Sequence, residues 1–110
     1  MTARAEMEKL DELVRAFALL QNADETRRFL RDLLTESELT ECANRWRAAR
    51  MLSTGRSYLD IARETGLSST TIARVSKWLS AGKGGYGIVL ERMEADSDHH
   101  TSSSIWKGLA

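Results

Sequence analysis

Between Ser57 and Leu79 the chain reads SYLDIARETGLSSTTIARVSKWL, and this stretch restricts the possible folds more than any other. Two short helices that cross steeply need a small residue at the crossing, a turn position tolerant of positive φ, and apolar anchors on both sides. Ala62, Gly66 and the set Ile61, Leu67, Ile72 and Val75 supply these in register. Ser57, with Asp60 three residues on, is placed to cap the first helix. Ser68 is placed to cap the second, whose first-turn amides also favour a phosphate. With Ile72, Val75 and Leu79 inward, the 3.6-residue period leaves Ser69, Thr70, Ala73, Arg74 and Lys77 on the outer face. That face has the chemistry for reading DNA. Short hydroxyls reach base edges or phosphates, Ala73 fits a thymine methyl, Arg74 offers its fork to guanine, and Lys77 suits the backbone. A helical hairpin with a solvated basic face is the plainer reading of the same pattern.

The chain has 110 residues, enough for one domain with a modest core, and a partner subunit is a natural way to complete it. Its formal net charge is zero, whereas nucleic-acid binders depend on neutralising phosphates. The distribution resolves the conflict. Residues 1–41 hold ten acids and six bases, while residues 42–92 hold nine bases and three acids, so a basic half follows an acidic one. Cys42 is the single cysteine, which excludes an intrachain disulfide and points to a reducing cytoplasm. Charges at Arg4, Glu6, Glu8 and Lys9 with no apolar run behind them argue against a signal peptide, and no stretch has membrane-spanning length. Proline is absent, and long 3.6-period stretches predict an all-α protein.

Along the chain, residues 3–21 form a helix with a stripe at Met7, Leu10, Val14 and Phe17, widened by Leu13 and Leu20. A subunit interface would bury that stripe as well as an intrachain core would. Asn22 with Glu25 caps a second helix to Leu34, carrying Phe29, Leu30, Leu33 and Leu34 on its buried side. Thr35 with Glu38 opens a third helix to about Ser53, with Leu39, Ala43, Trp46 and Ala49 inward and Arg45, Arg47 and Arg50 displayed. Gly55 ends it in a left-handed turn.

After Leu79 comes SAGKGGYGIVLERM, a glycine-rich joint and a short helix bearing Ile88, Val89 and Met93, with Tyr86 as the handle that folds it back. A nucleotide-binding loop is a poor match, because Lys83 lacks a following Ser or Thr and the loop leaves a helix rather than a strand. The ordered domain is expected over 1–94, with 95–110 a flexible, polar, Ser-rich tail containing adjacent histidines and Trp106. Two neighbouring histidines without further spaced ligands do not make a metal site. No cofactor or metal is expected, and no catalysis either, since no nucleophile lies beside a base and no paired acids sit in an apolar setting.

From Phe29 to Leu79 the chain resembles the Trp repressor superfamily, and over residues 8–93 it is similar to the YerC/YecD-type Trp-repressor-related proteins. The resemblance rests on FLRDLLTESEL, on the arginine-rich third helix ending in MLSTG, on YLDIARETGLSSTTIARVSKWL and on GGYGIVLERM. It implies an intertwined helical homodimer whose N-terminal and third helices interlock between subunits. Two helix-turn-helix units would then face successive major grooves about one DNA turn apart. Ser69, Thr70, Ala73 and Arg74 are expected on bases, and Arg56, Arg63, Ser68, Lys77 and Lys83 on phosphates.

In the Trp repressor, the corepressor's indole lies between two arginines. The resemblance places Arg45 and Arg74 at those positions and Thr35 at the stretch whose backbone meets the ligand. Val75, however, stands where the repressor has a space-giving glycine, and Trp78 where it has a serine that holds the ligand's amino group. Large apolar atoms and a missing polar partner cost a ligand both room and a hydrogen bond. Free tryptophan is therefore not expected as corepressor, and Trp78 either fills the remnant slot or packs plainly at the end of the motif. The leading expectation is a homodimeric, sequence-specific regulator on double-stranded DNA. The alternative is a protein-interaction module docking on the transcription machinery or another regulator.

Overall fold

A computed structural model describes residues 2–99, with side chains through Asp96. Its described residues form six helices and no strand, in the order α1 (Ala3–Leu19), α2 (Ala23–Leu33), α3 (Glu36–Ser53), α4 (Tyr58–Thr65), α5 (Ser69–Ala81) and α6 (Gly85–His99). They fall into two compact units, one up to Glu36 and one from Ser37 onward.

In the first unit, Thr2 caps α1 by accepting from the Ala5 N–H at 3.3 Å. The Asn22 side chain accepts from the Glu25 N–H at 2.9 Å, and the Glu25 carboxylate reaches back to the Gln21 N–H at 3.0 Å. The capping expected at Asn22 is thus met, with the return bond made one residue earlier than in the usual box. Phe17 meets Phe29 edge-on at 5.2 Å and 83°, which ties α1 to α2. Neither helix has a buried residue in the single chain, and Met7, Leu10 and Val14 remain 64%, 58% and 56% exposed.

The second unit has a small, dense core. Ala48, Ala49 and Met51 of α3, Ile61 of α4, and Ile72 and Val75 of α5 are its buried apolar residues, with Trp46, Leu52, Ala62, Leu67 and Tyr86 packed around them. Burying Ile61 and Ile72 completely contributes about 1.5–3 kcal/mol each. On α3 the inward face differs from the sequence expectation. Ala43 is exposed, and the chain buries Ala48 and Met51 together with Ala49. The two alanines carry little bulk, and the side chains of Ile61, Ile72 and Val75 share one buried cluster with them, so packing rather than hydrophobicity chose the face.

The joint from α3 to α4 is a complete Schellman closure. Gly55 sits at φ +81° and donates to the Leu52 carbonyl at 3.1 Å, while the Arg56 N–H donates to the Met51 carbonyl at 3.0 Å. Ser57 follows at once as the cap of α4, so the connection has little freedom. At the far end Tyr86 stacks on Trp46, the handle role expected of it. The helix it starts does not stop at 94. It runs through His99, because Glu94, Ala95 and Asp96 tolerate helix and no Gly or Pro interrupts them. The expected tail from residue 95 is therefore helical over its first five residues, and residues 100–110, including Trp106, lie outside the described ones.

Candidate nucleic-acid interface

Each helix of the α4–α5 pair starts and ends as the local chemistry requires. The Ser57 side-chain oxygen accepts from the Asp60 N–H at 3.1 Å, and that of Ser68 accepts from the Thr71 N–H at 3.1 Å. Gly66 closes α4 at φ +74°, donating to the Ala62 carbonyl at 2.9 Å. The turn has one further organiser that periodicity does not reveal. Buried Thr65 donates its hydroxyl to the Ile61 carbonyl at 2.7 Å and accepts from the Leu67 N–H at 3.2 Å, so both sides of the turn hang on one oxygen. A Thr one residue before a helix-ending glycine is the signal for it, because its hydroxyl can bridge the last turn and the first loop amide.

The outer face of α5 is as expected. Ser69, Thr70, Ala73, Arg74 and Lys77 are exposed, while Ile72 and Val75 are buried and Leu79 is half-buried. Among the described residues, the Arg63, Arg74, Lys77 and Lys83 side chains form no ion pair. No acid occurs between residues 65 and 90, so nothing on α5 opposes an approaching phosphate. Ser68 is exposed at the α5 N-terminus, its hydroxyl also 3.1 Å from that of Thr71.

Arg56 stands apart from the other expected phosphate ligands. Its Nε lies 3.6 Å from Asp60 Oδ2 and its Nη2 lies 3.5 Å from Glu64 Oε2. Glu64 in turn meets Arg47 of α3, Oε1 to Nη1 at 3.9 Å. The basic balance of this half did not indicate that two of its three acids, Asp60 and Glu64, would sit against these two arginines.

Of the residues that the resemblance leads one to expect at a corepressor pocket, Arg45, Arg74, Val75 and Trp78 belong to the second unit, whereas Thr35 belongs to the first. Arg45 reaches Glu41 at 3.3 Å through Nη2, and its buried Nε has no partner among the described residues. Val75 is 3% exposed and part of the core, so its side chain occupies packed space. Trp78 keeps 51% of its surface open, so plain core packing does not describe it in a single chain. Among the described residues no group of three or more His, Cys, Asp or Glu is placed to hold a metal. No helix there is long and apolar enough to cross a membrane.

A family model described as Trp repressor protein matches residues 8–94. The uncharacterized protein YerC of Bacillus subtilis (strain 168) is 36% identical over 94 residues, covering 86% of this chain and 90% of that one. The crystal structure of a TrpR like protein from Eubacterium eligens ATCC 27750 is similar at 35% identity and a TM-score of 0.76, over 84% of this chain and 96% of its own. A solved Staphylococcus aureus structure is similar at 33% identity and a TM-score of 0.74, over 86% and 96% of the two chains. Helix order, the capped α4–α5 pair and these likenesses agree, and the chain belongs to the Trp repressor protein family.

Proposed function

We propose that this chain is a sequence-specific transcriptional regulator that binds double-stranded DNA as a homodimer in the cytoplasm, through α5. The observation that carries the reading is the outer face of α5, where Ser69, Thr70, Ala73, Arg74 and Lys77 are exposed and no acid lies nearby in sequence. Arg74, Ser69, Thr70 and Ala73 read base edges, and Ser68, Arg63, Lys77 and Lys83 hold phosphates. Dimerism is supported by α1, whose apolar stripe has no cover in the single chain, and by family membership.

Free tryptophan is not the corepressor in this reading. Val75 already occupies core space, and Trp78, half-open in one chain, fills the remnant slot once the dimer forms. DNA binding is then constitutive. The decisive experiment selects bound duplexes from a random pool at moderate salt. A two-fold symmetric consensus with half-sites about one helical turn apart is expected. No enrichment, together with a stable protein complex in a pull-down, would favour the interaction-module reading instead.

A further inference from the structure

Asp60 and Glu64 are four residues apart on one side of α4, and Arg56, in the turn just before the Ser57 cap, lies against both. Arg56 is held there twice, by Asp60 through Nε and by Glu64 through Nη2. Glu64 is also used twice, with Oε2 on Arg56 and Oε1 on Arg47, so one carboxylate joins α3, the interhelix turn and α4. Below this tie the Schellman closure at Gly55 and the Ser57 cap fix the backbone of the same joint. Each pair is partly exposed and weak by itself. Their arrangement matters more than their separate strengths, because all of them resist rotation of α4–α5 about the end of α3.

We infer that Glu64 is a positioning residue for DNA reading: it clamps the α4–α5 head to α3 through Arg47 and Arg56, and Arg56 serves as a strut of that clamp, not as a phosphate ligand. The inference rests on the DNA-binding reading and adds a cause for its specificity. A head held at one angle to α3 presents both recognition helices of a dimer at one spacing. A head free to rock still binds phosphates but loses discrimination among half-site spacings.

The test uses the full chain and the duplex selected above, against a scrambled duplex of equal length. Glu64→Gln keeps the side-chain shape and removes a negative charge. A residue acting only through its charge would let the variant bind both duplexes tighter by the same factor, which overturns the clamp. The clamp predicts that the ratio of selected to scrambled affinity falls by about three- to tenfold. Arg47→Gln should lower the ratio similarly, and the double variant should lose little more than either single one, whereas full additivity contradicts a shared contact. Arg56→Gln separates strut from ligand. It should lower the ratio and leave the slope of log affinity against log salt unchanged, while Arg63→Gln flattens that slope by about two, one phosphate per subunit. A slope lowered equally by Arg56→Gln overturns the strut assignment. A wild-type protein that binds no duplex at low salt defeats the DNA reading. The clamp is then judged by amide exchange, where Glu64→Gln should speed exchange at Gly55 and Arg56 severalfold, and unchanged rates reject it.

Discussion

Tyr86 lies over Trp46 with ring centroids 6.2 Å apart and 17° between planes, so the first turn of α6 is fastened to the middle of α3. The glycine-rich joint before α6 bends the chain so that this stacking is possible, with Gly84 at φ +85°.

Truncation of that ring should release α6. Tyr86→Ala is expected to cost about 1.5–3 kcal/mol, combining lost burial with the aromatic pair, and Tyr86→Phe about 0.5 kcal/mol or less. Urea unfolding midpoints of the two variants check the difference.

The turn between α4 and α5 should be intolerant of a side chain for conformational rather than steric reasons. A Cβ at Gly66 meets no atom within 4 Å, yet φ is +74°. Gly66→Ala should therefore cost about 1–2 kcal/mol, with Gly66→Asn milder. At Gly82 the cause is contact, because a Cβ would press on the Trp78 carbonyl. Thermal unfolding should show both losses, and only the Gly66 loss should be partly recovered by Asn.

The α1 stripe should govern assembly. Placing charge on it with Leu10→Glu and Val14→Glu together removes two apolar side chains from the proposed interface, about 1.5–3 kcal/mol each. The dimer dissociation constant should rise by about 100-fold or more. Sedimentation equilibrium reads this directly, and an unchanged mass would remove α1 from the interface.

On α5, base and phosphate contacts should separate by their signatures. Arg74→Ala should relax preference at one base position at a cost of about 1–3 kcal/mol. Lys77→Ala should weaken every duplex alike and flatten the salt dependence. Equal losses on all sequences for both variants would contradict the assignment.

Calorimetric titration with free tryptophan should give no binding heat at micromolar ligand. Binding would mean that the space at Val75 and Trp78 opens more readily than the packing of Val75 suggests.

Several features depend only on neighbours in sequence, and these were legible from the residues alone. The caps at Asn22, Ser57 and Ser68 act across three residues, and the turns at Gly55 and Gly66 depend on one backbone torsion each. The exposed face of α5 follows in the same way, because Ile72, Val75 and Leu79 fix its phase by helical period. The tertiary structure decided what depends on distant neighbours. It buried Ala48 and Met51 in place of Ala43, since α3 carries alanines on several sides and only the approach of α4 and α5 selects among them. It also joined Arg47 to Glu64 across seventeen positions and left Trp78 half-open. Charge pattern alone cannot say which carboxylate an arginine will meet, because Coulomb attraction has no register until the backbone supplies one.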